Sequence, residues 1–135
     1  MKRTLNIAIL LVLTLSFFSA APTEFGKHDT KVAVMKFKTE VIDYGIISQN
    51  SEGKRLFTFT NTGDAPLLIT DVKTSCGCTV PSYSKAPILP GSLGELEIKY
   101  DTKRLGAFTK TVTVMSNAEG GNKVLKIKGH IVASK

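Results

Sequence analysis

Several stretches of this chain alternate apolar and polar residues with a period of two. That period suits a strand with one buried face and does not suit a helix, whose faces repeat every 3.6 residues. In residues 56–60, Phe57 and Phe59 share one side while Thr58 and Thr60 share the other. Leu96, Ile98 and Tyr100 alternate with Glu95, Glu97 and Lys99. Val112 and Val114 oppose Thr111 and Thr113 within residues 108–115, and Leu125, Ile127 and Ile131 oppose Lys126, Lys128 and His130 within residues 124–132. Residues 32–37, 41–47 and 67–72 are shorter apolar runs of the same kind, and Pro66, which cannot donate to a ladder, suits the start of the last of them. Turn signals separate these stretches: residues 48–53, Asn61-Thr62-Gly63-Asp64, Pro90-Gly91 and residues 117–122. The three prolines in residues 81–90 predict a loop, and residues 101–106 a connection. About seven short strands with no helical period between them predict an all-β, antiparallel β-sandwich, and the missing helices exclude a parallel sheet of crossover units.

The N-terminus is of another kind. Lys2-Arg3, an apolar run over residues 7–18 and the small residues Ser19-Ala20-Ala21 predict a secretory signal peptide over residues 1–21. The run is shorter than the ~20 residues of a spanning helix. Pro22 after the expected cut is unfavourable for cleavage, so an uncleaved N-terminal anchor stands as the alternative. No cysteine lies near the end of the run, which excludes a lipoprotein. Residues 22–31 are polar and without period, a flexible tether, and residues 32–135 form the domain. The expected location is periplasmic or extracellular, with no membrane contact beyond an uncleaved leader. The formal charge is +7, of which Lys2 and Arg3 supply two. The remaining excess is spread out, without a basic run carrying interleaved aromatics, so nucleic acid is not an expected partner.

Both cysteines lie in Thr74-Ser75-Cys76-Gly77-Cys78-Thr79-Val80-Pro81. Three readings fit them. In an extended strand, residues two apart stand ~6.5–7 Å apart at Cα, at the upper edge of the ~4.4–6.8 Å that a disulfide accepts. Gly77, as the motif's turn, is able to adopt positive φ and bring the sulfurs together. Alternatively, two thiolates on one face suit Cu(I). The third reading is two reduced thiols packed at a strand end, which an oxidising compartment disfavours. A closed zinc site needs four ligands, and His28 and His130 are the only histidines. His28 falls in the tether and His130 on the lysine face, a solvated position. No Ser-His-Asp arrangement is legible, and Glu95 and Glu97 read as a solvated face paired with lysines. The chain is therefore not read as an enzyme, and no cofactor is expected.

These motifs have a familiar order. Residues 57–67, Phe-Thr-Phe-Thr-Asn-Thr-Gly-Asp-Ala-Pro-Leu, precede Ser75-Cys76-Gly77-Cys78-Thr79-Val80-Pro81. Pro87-Ile88-Leu89-Pro90-Gly91, Tyr100-Asp101-Thr102, Gly106-Ala107-Phe108, Ser116-Asn117-Ala118 and Ile127-Lys128-Gly129 follow, with Asp43-Tyr44-Gly45-Ile46-Ile47 upstream. Together they resemble a bacterial exported family, domain of unknown function 1573, over residues 35–132. The resemblance implies an immunoglobulin-like sandwich similar to major-sperm-protein and Hydin-type modules, which mostly bind or assemble. The expectation is an exported, non-catalytic binding or assembly domain with a protein partner whose identity the residues do not give. The alternative is a thiol-redox or copper-handling protein using Cys76 and Cys78.

Overall fold

The computed structural model describes residues 29–135; the expected leader and residues 22–28 of the tether lie outside them. No helix is present among the described residues. The strands are β1 (Met35–Phe37), β2 (Val41–Ser48), β3 (Lys54–Asn61), β4 (Ile69–Thr74), β5 (Thr79–Tyr83), β6 (Leu93–Tyr100), β7 (Gly106–Ser116) and β8 (Lys123–Val132). They form two four-stranded sheets, ordered β1-β3-β6-β5 and β2-β8-β7-β4. Through β5 each successive strand joins the opposite sheet, and only β5–β6 and β7–β8 are hairpins between ladder neighbours.

The β-sandwich is as expected, with three differences of detail. There are eight strands, not about seven. The extra one is β5: Pro81 and the two residues after it, expected in a loop, pair with β6 at its outer edge. An edge strand tolerates proline because one side of its backbone has no ladder to supply. Finally, β2 pairs with β8 in parallel, from Val41↔Lys126 to Ser48↔Val132, whereas the other pairs of named strands are antiparallel.

The alternation read from the sequence defines the core. Phe57, Phe59, Ile98, Tyr100, Val112, Val114, Leu125 and Ile127 are all buried. Each large apolar side chain removed from water contributes ~1.5–3 kcal/mol. Within the first sheet Phe59 pairs with Gly94, and a Cβ on Gly94 would collide with the Phe59 ring. Glycine there lets the ring lie flat on the neighbouring strand. Phe37 closes on Phe59 from β1, with ring centroids 5.2 Å apart. A second aromatic group holds the other end: Tyr100 stacks on Phe108 at 3.8 Å, and Tyr44 meets Phe108 edge-on at 5.4 Å.

Asn61 anchors the end opposite that group. It is fully buried. Its Nδ2 donates to Ala65 O (2.8 Å) and Ile88 O (2.9 Å), and its Oδ1 accepts from Val34 N (3.3 Å) and Gly63 N (3.1 Å). One side chain thus ties the backbone of three segments together, adding to the bond that Ile88 O already accepts from Leu67 N.

Candidate functional site

The cysteine segment is the connection by which the chain leaves β4, at the edge of one sheet, and enters β5, at the edge of the other. Backbone that crosses between sheets loses its ladder partners, so side chains supply them. Ser75 N donates to Thr111 O and Thr111 N donates to Ser75 Oγ, both at 3.0 Å, which pins the departure to β7. Thr74 Oγ1 lies 2.9 Å from Cys76 O and 3.1 Å from Thr79 O, bridging the two ends of the turn. Asp101 N donates to Cys78 O at 2.8 Å and fixes the arrival.

Held this way, Cys76 and Cys78 have Cα atoms 5.3 Å apart, closer than extended strand allows, and their Sγ atoms lie within bonding distance. Gly77 does not achieve this through positive φ: its backbone is outside the left-handed region, and a Cβ there would meet nothing within 4 Å. The threonine and serine bonds bend the chain instead. Cys76 is half-buried and Cys78 is buried. The Cys78 N–H points at Cys76 Sγ, 3.1 Å away. Thr79 Oγ1, on a buried residue, stands 4.0 Å from Cys76 Sγ and 3.9 Å from Cys78 Sγ. Neither threonine was legible as part of the site; their place flanking the cysteines was the only signal in the residues.

Beside Cys78 and Gly77 lies an open depression of about 640 Å³, lined also by Gly53, Val80, Lys99 and Tyr100. Ser51 lines its far side, with a buried Oγ that has no hydrogen-bond partner among the described residues. Tyr44, nearby in the fold, donates its hydroxyl to Gly53 O at 2.8 Å, and the Arg55 guanidinium sits 4.3 Å from its ring centroid. Burial pushes the Tyr44 phenol up to about 12, against a smaller lowering by the Arg55 charge. Burial likewise raises Tyr100.

The other sequence candidates stand elsewhere. His130 is exposed on β8, opposite Ile46 and Ala107. His28 lies outside the described residues. Glu97 pairs with Lys54 at 3.6 Å on an exposed face. No group of three His, Cys, Asp or Glu side chains among the described residues could hold a metal ion. For Cu(I), Cys76 and Cys78 form the only cysteine pair among the described residues.

A family model described as "Protein of unknown function (DUF1573)" matches residues 35–131. No curated protein matches the chain. Among solved structures, a protein of unknown function from Porphyromonas gingivalis is 18% identical, with a TM-score of 0.63 over 73% of this chain. The chain spans 46% of that protein's length. The human CEP192 PapD-like domain 7 is 6% identical at a TM-score of 0.64, covering 77% of this chain and 89% of that one. The YadV chaperone is 10% identical at 0.54, covering 72% and 51%. At these identities the solved structures share the immunoglobulin-like and PapD-like fold with this chain.

Proposed function

The chain belongs to the DUF1573 family, and we propose that it works as an exported, non-catalytic immunoglobulin-like module that binds or assembles with a protein partner. The observation that carries this reading is the open edge of the second sheet. There β2 runs for eight residues with β8 on one side and, among the described residues, no strand on the other. Ile46 is 77% exposed and Val41 45% exposed along it. An uncovered edge with apolar side chains is a template for strand addition, the recurrent mode in which such domains hold extended polypeptide. Export is supported by Lys2-Arg3 and the apolar run of residues 7–18.

The leader-free domain, immobilised, serves as bait for proteins of the cell envelope, with capture quantified by mass spectrometry. Ile46→Lys places a charge on the edge and should abolish specific capture without changing the melting temperature. Unchanged capture by Ile46→Lys would defeat the edge reading. For export, the protein recovered outside the cytoplasm should begin near Pro22; soluble cytoplasmic protein retaining Met1 would defeat it.

A second reading, a thiol-redox or copper-handling protein, is favoured by the two sulfurs held within bonding distance. Changing Cys76 and Cys78 to serine separates the two. A binding module keeps its capture, and a thiol or copper protein loses its activity.

A further inference from the structure

The two sulfurs are not equivalent, and we propose that they divide the labour of a thiol–disulfide exchange site: Cys76 is the nucleophile, Cys78 resolves, and Thr79 positions the reactive sulfur. This deepens the thiol reading and rests on it. The co-reactant is a molecule bearing a disulfide.

Three observations assign the roles. Cys76 is half-buried and Cys78, though it lines the depression, is only 8% exposed, so Cys76 presents the larger accessible surface to an incoming disulfide. The Cys78 N–H lies 3.1 Å from Cys76 Sγ. A neutral sulfur accepts such a bond weakly, whereas a thiolate accepts it as a charge-assisted bond. The fold therefore favours the anion at Cys76. Third, Thr79 is 3% exposed, and among the described residues its hydroxyl has only the two sulfurs as partners. A buried hydroxyl left to weak acceptors is under-satisfied; a thiolate beside it supplies the missing acceptor. Because the hydroxyl is nearly equidistant from both sulfurs, it serves whichever carries the charge as exchange proceeds. The bonds from Thr74, Ser75 and Asp101 hold the turn, so ring closure needs no rearrangement of the strands.

In the first step the Cys76 thiolate attacks one sulfur of the co-reactant's disulfide, that bond breaks, and the other sulfur leaves as a thiolate that takes up a proton. Cys76 is then joined to the co-reactant in a mixed disulfide. Cys78, losing its proton, attacks Cys76 Sγ and displaces the co-reactant's remaining sulfur, which is protonated in turn. The dithiol has become a disulfide, and two electrons and two protons have passed to the co-reactant.

The test uses the exported protein, its Cys78→Ser and Cys76→Ser variants, and oxidised glutathione as the probe. After reduction and removal of reductant, Cys76 in Cys78→Ser should be alkylated by iodoacetamide at least ~tenfold faster near neutral pH than Cys78 in Cys76→Ser. With oxidised glutathione, Cys78→Ser should accumulate one glutathionyl adduct on Cys76, while the wild type passes to the internal disulfide and releases glutathione. Thr79→Val should slow alkylation of Cys76, and Thr79→Ser should restore it. Equal rates, or a faster Cys78, overturn the assignment of nucleophile. Failure of Thr79→Ser to restore the rate overturns the role of Thr79. The underlying reading fails separately: wild-type protein that keeps two alkylatable thiols after treatment with oxidised glutathione forms no internal disulfide, whichever sulfur is faster.

Discussion

Changing Asn61 to aspartate replaces one atom in a fully buried side chain and should cost the domain a large part of its stability. Asn61 Oδ1, which accepts from Val34 and Gly63, has a counterpart in aspartate. Nδ2 does not: where it donated to Ala65 O at 2.8 Å and Ile88 O at 2.9 Å, an oxygen would face two carbonyl oxygens. Ala65 O loses its side-chain donor, whereas Ile88 O keeps the bond from Leu67 N. An acceptor left without its donor costs ~1–3 kcal/mol, and with an oxygen facing both carbonyls the loss should be about 2–4 kcal/mol. A domain of this size has about 5–15 kcal/mol in all, and each kcal/mol moves its midpoint by ~4–8 °C. The melting temperature should therefore fall by about 10–30 °C near neutral pH. The loss should depend on pH. Once protonated, the variant's carboxyl can donate to one of the two carbonyls, so the fold holds it above the ordinary ~3.9. A group raised in the folded state contributes stability that is present below its unfolded value and lost as pH rises through its folded value. The deficit relative to wild type should shrink near pH ~4. Thermal melts of the leader-free protein, followed by circular dichroism at both pH values, measure this. Asn117→Asp is the control, since the same exchange at an exposed residue that bonds Leu68 N and Pro66 O should cost less than ~1 kcal/mol. If Asn61→Asp melts like Asn117→Asp, the account of Asn61 as the anchor of three segments is wrong.

Phe59→Ala should cost ~3–5 kcal/mol in chemical denaturation, because the ring is buried between Phe37 and Gly94; a midpoint equal to wild type would remove Phe59 from the core. Gly94→Ala should cost ~1–3 kcal/mol through collision with that ring, whereas Gly77→Ala should stay within ~0.5 kcal/mol of wild type because nothing stands near its Cβ. With the Tyr44 phenol pushed up to about 12, stability should hold up to the ordinary phenol value of ~10 and fall as pH rises through the folded value. Tyr44→Phe should remove that component of the alkaline transition, read from tyrosinate absorbance. Serine at both Cys76 and Cys78 should change the melting temperature only slightly, since so short a loop constrains the unfolded chain little; a large drop would give the pair a structural role.

Much of this was legible in the residues. Alternation in Phe57-Thr58-Phe59, Leu96 to Tyr100 and Leu125 to Ile131 marked the buried faces because a strand's side chains switch sides at every residue, whatever the strand pairs with. The same property made His130 and the Lys126–Lys128 side an outer face, and the paired glutamates a solvated one. Local spacing likewise placed Cys76 and Cys78 close enough to interact. What the chain does between strands was not legible. Asn61-Thr62-Gly63-Asp64 read as a turn, yet Asn61 is buried because its partners, Val34 and Ile88, are each 27 positions away. Pro81 read as a loop residue, and only its position at the outer edge of a sheet makes it a strand residue. Gly77 suggested a left-handed bend, but the bend is made by Thr74 and by Ser75 reaching Thr111, 36 positions on. The parallel pairing of β2 with β8 joins the start of the domain to its end. Side-chain period is a property of neighbouring residues and survives in the sequence by itself; edges, anchors and the shape of the cysteine turn depend on contacts between distant segments, which exist only once the two sheets have packed.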